Sequence, residues 1–213
     1  MQDEHAFIWN AMLDTIDVDL AGRRVLDAGC NRGGFLRLLA DRSDIAEGWG
    51  YDPASGAVAD ARRLAGDRPL TFEVGDTVPA GWSGFEAAFS HEVLYLIHDL
   101  ESHAEAMLAA LQPGAPYFAV MGMHSGSGLM SEWHAAHASD LDLPRLYSLD
   151  EVVDVFEKAG FEASVAQLRL RFVPVSAHRP DKAERGSLLE WVDYYSRDKV
   201  LLRFARSADP PAP

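Results

Sequence analysis

The sequence predicts an α/β fold in which helices cover a mostly parallel sheet. Three observations carry this expectation. Short apolar, strand-like runs alternate with segments of helical period over most of the 213 residues. The run at 24–28 leads through a glycine-bearing turn directly into a helix-period segment. Successive strand-like runs end at polar residues, namely Asp27 with Gly29, Asp52, Asp76, and Ser90 with His91, and open α/β sheets bind ligands beyond the carboxyl ends of their strands.

Residues 4–16 suit an amphipathic helix with Phe7, Ile8, Met12 and Leu13 near one side, ahead of a first strand at 24–28. After the loop at 29–34, Phe35, Leu38 and Leu39 stand at i, i+3 and i+4 and mark a helix. A strand at 47–51, a helix at 55–65 and a strand at 70–74 complete two βαβ units. A turn-rich stretch with Pro79, Gly81 and Gly84 precedes a fourth strand at 85–89. A helix at 100–111 presents Leu100, Ala104, Met107, Leu108 and Leu111 on one face, stops at Pro113-Gly114, and leads to a fifth strand at 116–121. Ser148 through Glu151 match a capping box that opens a helix ending at Gly160. A long β-like segment at 161–175, a polar link at 178–186, an aromatic helix-like segment at 188–195 and a strand at 200–206 follow, before a tail at 209–213 expected to be disordered. Residues 1–208 therefore read as one domain.

Nineteen Lys and Arg against 33 Asp and Glu give a formal net charge of −14. Such a surface repels phosphate backbones and anionic lipid, which argues against nucleic-acid and membrane-surface partners. A single cysteine, Cys30, allows no intramolecular disulfide and no cysteine-rich metal site, and suits a reducing compartment. The first five residues are acidic where a signal peptide is basic, and no apolar run reaches the roughly 18 residues of a membrane span. The expected localisation is cytoplasmic.

The strongest local signal is the run from Val25 to Phe35, VLDAGCNRGGF. Glycine lets a ligand approach the backbone, and a helix start offers unpaired N–H donors to a carboxylate or phosphate, so a nucleotide-like ligand is expected. The dinucleotide fingerprint G-x-G-x-x-G is not met, because Asn31 stands at the second glycine. Asparagine tolerates the left-handed conformation, which preserves the turn. Asp52 ends the second strand about twenty residues further on, where a carboxylate accepts both hydroxyl protons of a ribose. Val74-Gly75-Asp76-Thr77 and Ser90-His91-Glu92 supply two further polar strand ends.

These residues resemble the class I S-adenosylmethionine-dependent methyltransferases of the small-molecule type. Asp27-x-Gly29-x-Asn31-x-Gly33 is similar to their Asp-x-Gly-x-Gly-x-Gly motif, and the likeness is good over about 20–125 and weaker beyond. It implies a Rossmann-like, doubly wound sheet of seven mostly parallel strands with an antiparallel last strand and helices on both faces. It implies S-adenosylmethionine as cofactor and S-adenosylhomocysteine as product. By the same resemblance Gly29, Cys30, Asn31 and Gly33 hold the methionine part, and Asp27 orders the loop. Asp52, with Pro53 beside it, binds the ribose, Asp76 the adenine amino group, and Thr77 lies by the adenine ring. Ser90 and His91 border the sulfonium. Segments 124–147 and 176–198 fall where this fold inserts its substrate cover. No Asp/Asn-Pro-Pro-Tyr follows the fourth strand and no carboxylate cluster resembles the metal site of the catechol-type enzymes. The implied reaction is a metal-free methyl transfer to an O, N or C atom of a small organic acceptor.

Methyl transfer from a sulfonium is an in-line displacement that requires alignment and, for a hydroxyl acceptor, removal of a proton. His91 is the first candidate base because of its strand-end position, with a pocket-shaping role as the plain alternative. His124 and His134 follow the fifth strand and are further candidates, though histidines there also serve as surface or packing residues. Trp133, Tyr147, Phe172, Trp191, Tyr194 and Tyr195 in the cover segments suggest an aromatic or apolar acceptor, or simply core, and the aromatic C-terminal helix offers a homodimer contact. Cys30 lacks the basic surroundings of a nucleophile. Rival readings are a peptide or protein methyltransferase, a non-catalytic S-adenosylmethionine-binding protein, and a nicotinamide-dependent oxidoreductase, which the glycine spacing disfavours.

Overall fold

In the computed structural model, residues 2–168, 170, 172, 175 and 187–207 are described, with side chains from His5 onward. The order of elements is α1 (Gln2–Thr15), β1 (Arg24–Ala28), α2 (Gly34–Ser43), β2 (Glu47–Asp52), α3 (Ser55–Ala65), β3 (Leu70–Val74), β4 (Ala87–His91), α4 (Leu100–Ala110), β5 (Pro116–Met121), α5 (Gly128–His137), α6 (Leu149–Ala159), β6 (Phe161–Gln167), α7 (Leu188–Asp193) and β7 (Val200–Arg206). The seven strands form one sheet in the order β3-β2-β1-β4-β5-β7-β6. Strands β1 to β5 pair in parallel, and β7 runs antiparallel to both β5 and β6. This is the Rossmann-like arrangement that the resemblance implies.

Side chains alternate across the sheet, as strand geometry requires. On one face Val25, Phe89, Phe118 and Val120 pack with Ile8 and Met12 of α1, Leu36 and Leu39 of α2, and Val58 of α3. On the other, Leu26, Ala88, Tyr117 and Ala119 pack with Met107 of α4 and Phe156 of α6. Stacking of Phe156 on Phe204, with ring centroids 3.9 Å apart, ties α6 to β7. The strand order reverses between β1 and β4, and a crevice opens at their carboxyl ends.

Three elements differ from expectation. The fourth strand is shifted by two residues, because Phe85 is held by α4 instead: its N–H donates to Ala110 O at 3.1 Å and its carbonyl accepts from Gln112 N at 2.8 Å. His91 is thus the last residue of β4 and not its sequel. The sixth strand ends at Gln167, well short of residue 175, because β7, its partner among the described residues, begins at Val200, opposite Gln167. The aromatic helix is α-helical only to Asp193, after which Tyr194–Asp198 form a π-turn. The link at 178–186, the tail at 209–213 and much of the expected cover at 176–198 lie outside the described residues.

Candidate functional site

A cavity of about 960 Å³ lies at the carboxyl edge of the sheet, at the upper end of the usual size for a ligand pocket. Its floor is the glycine loop. Gly29, Asn31 and Gly33 take φ of +74°, +47° and +67°. A Cβ on Gly29 would stand 2.5 Å from Val93 Cγ2, and one on Gly33 2.6 Å from Phe72 Cζ, so both positions require glycine for space as well as for backbone conformation. Asn31 accepts the left-handed region, and the turn keeps its shape. Tyr51 O accepts from Gly29 N at 2.9 Å and from Cys30 N at 3.0 Å, which clips the loop to β2. Helix α2 then starts at Gly34 with no side-chain cap and no acidic residue in its first turn. An uncapped helix start facing a cavity favours an anionic group.

Three of the carboxylates lining the same space lie at or just past the ends of β1, β2 and β3: Asp27, Asp52 and Asp76. Asp52 Oδ2 accepts from Asn31 N at 2.8 Å and Oδ1 from Ala54 N at 2.9 Å, so Asp52 fastens the glycine loop to the start of α3. Each oxygen retains a lone pair for a further donor. Asp27 is 3% exposed, and burial, reinforced by the charge of Asp52, pushes its carboxyl well above the ordinary range. Asp76 and Thr77, after β3, are exposed at the cavity's edge, and Pro53 joins the lining. Cys30 also lines the cavity, but burial and the neighbouring Asp27 and Asp52 raise its thiol pKa, so it stays protonated and unreactive.

The other end is aromatic. His5, Trp9, Phe35 and His91 all line it. The His5 and His91 rings meet edge to face at 5.3 Å, and Trp9 lies 6.3 Å from His91 and 6.1 Å from Phe35. His91 Nε2 and Trp9 Nε1 are covered and have no hydrogen-bond partner among the described residues. Polar atoms left in this state mark a place for a ligand or water. Burial, then the nearby Lys199 and His5, hold the His91 imidazole well below its usual pKa, so it is neutral at pH 7.

Other predicted residues lie away from the cavity lining. The Ser90 side chain turns into the core and accepts from Tyr117 Oη at 2.7 Å. Tyr117 Oη in turn lies 3.2 Å from Nε2 of His103, which does line the cavity. His124 donates from Nε2 to Asp198 O at 2.8 Å and accepts from Gly126 N at Nδ1, so both ring nitrogens are spent on backbone. His134 donates from Nε2 to Pro144 O at 2.7 Å and braces the loop after α5. Tyr147, Trp191, Tyr194 and Tyr195 are core residues, Trp133 stacks on His137, and Phe172 is exposed; none of the six lines the cavity. His5 and the segment from Tyr95 to Asp99 line it without having been singled out from sequence, and Phe35 and Glu92, quoted there only within longer runs, line it too.

Comparison with known proteins agrees with this geometry. The chain matches the family described as "Methyltransferase domain" over residues 4–165. None of the curated protein sequences compared matches it. Among solved structures, the chain from the complex of the Haloferax volcanii Trm112 methyltransferase activator with its methyltransferase superposes with a TM-score of 0.82 at 23% identity, covering 97% of this chain and 92% of that one. An S-adenosylmethionine-dependent methyltransferase from Mesorhizobium loti gives 0.70 at 17% identity over 97% and 100%. Phosphoethanolamine N-methyltransferase 2 of Haemonchus contortus, solved with S-adenosyl-L-methionine, gives 0.69 at 20% identity over 94% and 52%. With the family match spanning well over half of its length, and the strand order and glycine loop in agreement, the chain belongs to the methyltransferase domain family and is an S-adenosylmethionine-dependent methyltransferase.

Proposed function

We propose that the enzyme transfers the methyl group to an O, N or C atom of a small organic acceptor seated at the aromatic end of the cavity, by in-line displacement without a metal. The observation that carries this reading is His91, whose covered, unpartnered Nε2 stands at the end of β4 in the same cavity as the glycine loop. The residues present fit the cofactor. Gly29, Cys30 and Asn31 line the cavity on a loop whose shape needs glycine at 29 and 33, where a Cβ would strike Val93 and Phe72, and the uncapped start of α2 suits the carboxylate of the methionine part. Asp27 would hold its ammonium group, Asp52 and Pro53 its ribose, and Asp76 and Thr77 its adenine. Bound there, S-adenosylmethionine supplies an electrophilic methyl group on a sulfonium.

The chain's own contribution is alignment, exclusion of water and, for a hydroxyl acceptor, acceptance of a proton at His91 Nε2. A neutral imidazole is the form that can take it. Trp9 and Phe35 form the apolar walls. Ser90 acts behind the cavity through Tyr117, and His124 and His134 serve the backbone of the neighbouring loops. Among the described residues no helix is long and apolar enough to cross a membrane, and with a single buried thiol a cytoplasmic setting fits best.

Calorimetric titration with S-adenosylmethionine and S-adenosylhomocysteine tests the cofactor half. Asp52→Ala should weaken both by roughly 1–3 kcal/mol, the scale for a lost charged hydrogen-bond acceptor. Unchanged affinity would remove Asp52 from the ribose site. Labelled methyl from S-adenosylmethionine should enter the small-molecule fraction of a cell extract in a His91-dependent way; label confined to protein would overturn the small acceptor.

A further inference from the structure

Lys199 is the only lysine or arginine that is buried among the described residues, at 2% exposure, and the chemistry above makes no use of it. Burial of an ammonium group is costly, and a buried ion pair usually stabilises a fold no better than apolar residues of the same volume. Its surroundings are built for it nonetheless. The register Met121↔Val200 brings Lys199 level with Gly122 at the carboxyl edge of the sheet. Its Nζ pairs with Glu92 Oε1, while Glu92 Oε2 accepts from Gly122 N at 3.1 Å. The rings of Tyr194 and Tyr195 flank Nζ at 5.0 and 5.4 Å. Gly122 has no Cβ to spare, since one would collide with Tyr194 Oη and stand 3.0 Å from Glu92 Oε1.

Glu92 links this compartment to the cavity. It follows His91 directly, lines the cavity, and sits at φ +58°, a strained region for a residue with a side chain. Its N–H donates to Val120 O at 2.9 Å, and its carboxylate is held at both oxygens. His5 and Trp9 from α1 pack against the His91 ring, Glu92 follows it in the chain, and Lys199, just ahead of β7, acts on it through its charge.

We propose that Lys199 is a positioning residue: from behind the cavity wall its ammonium group anchors Glu92 and so holds the strained turn that carries His91 at the cavity's edge. This deepens the reading of His91 as the proton acceptor. Burial brings Lys199 down to about 7.

The test is an NMR pH titration of the His91 ring in the cofactor-free protein, with the resonance assigned by His91→Gln. Lys199→Met and the doubly neutral Lys199→Met/Glu92→Gln remove the ammonium group, and the second leaves no unpaired carboxylate behind. Lys199→Met, which leaves the Glu92 carboxylate unpaired, should begin to protonate His91 at a pH higher than the parent by about half a unit or more, the double variant should shift it by less, and Lys199→Arg should stay at the parent value. An unmoved His91 in both charge-removing proteins overturns the proposal. Calorimetry with S-adenosylhomocysteine on the same samples separates the two readings: absence of binding in the parent refutes the cofactor site, while a moved His91 still upholds the Lys199 coupling.

Discussion

Asp27 sets stability against binding within a single side chain. Its carboxyl is raised above the ordinary range by burial and by Asp52. A raised acid pKa means that the folded state favours the proton, so the penalty for the charged form grows as pH rises above the unfolded value, near 3.9, and is complete above the folded one. Asp27→Asn removes that penalty. The variant should melt higher than the parent at pH 7, lose the advantage toward pH 4, and bind S-adenosylmethionine more weakly because the ammonium group loses its counter-charge. Thermal unfolding across pH, paired with calorimetry, checks both signs; a lower melting point at pH 7 would refute the electrostatic account. That Gly29, Asp52 and Asp76 line the cavity was legible because motif and strand end coincide in sequence. His5 and Lys199 were not legible. They reach His91 from opposite ends of the chain, 86 residues before it and 108 after it, and nothing in their local sequence separates them from other polar residues.

Elements were legible where a local rule governs them. Ser148 Oγ accepts from Glu151 N at 3.1 Å and Glu151 Oε2 from Ser148 N at 2.7 Å, the reciprocal pair that Ser-x-x-Glu announces. Ser148→Ala should therefore cost about 1 kcal/mol in denaturant unfolding. It should leave S-adenosylhomocysteine affinity unchanged, since α6 packs on the sheet through Val152 and Phe156 and contributes nothing to the cavity lining. A loss of affinity would show that α6 is coupled to the site. Where a partner decides the ends, sequence misled. Phe85 is apolar enough for a strand but bonds to the end of α4, and the β-rich run after Phe161 stops pairing where β7 runs out. The π-turn at Tyr194–Asp198 has no sequence signature; it is held in place by Asp198, which accepts from Ser127 Oγ at 2.7 Å and from His124.

At the scale of the whole molecule the net charge of −14 acts on the cofactor before any contact forms. S-adenosylmethionine carries one more positive charge than S-adenosylhomocysteine, because the sulfonium becomes a neutral thioether on transfer. The cavity adds Asp27, Asp52, Asp76 and Asp99 to that field, while Glu92 is balanced by Lys199. Donor should thus be drawn in and product held less tightly, a bias that favours turnover. Mobile ions screen such a field over about 10 Å at 0.1 M salt. Raising salt should weaken S-adenosylmethionine binding several-fold while S-adenosylhomocysteine changes little, since the contacts the two share are short-ranged. Calorimetry of both ligands across a salt series decides the point. Parallel loss for the two would mean that the acidic surface supplies only solubility, and that discrimination between donor and product rests on groups touching the sulfur.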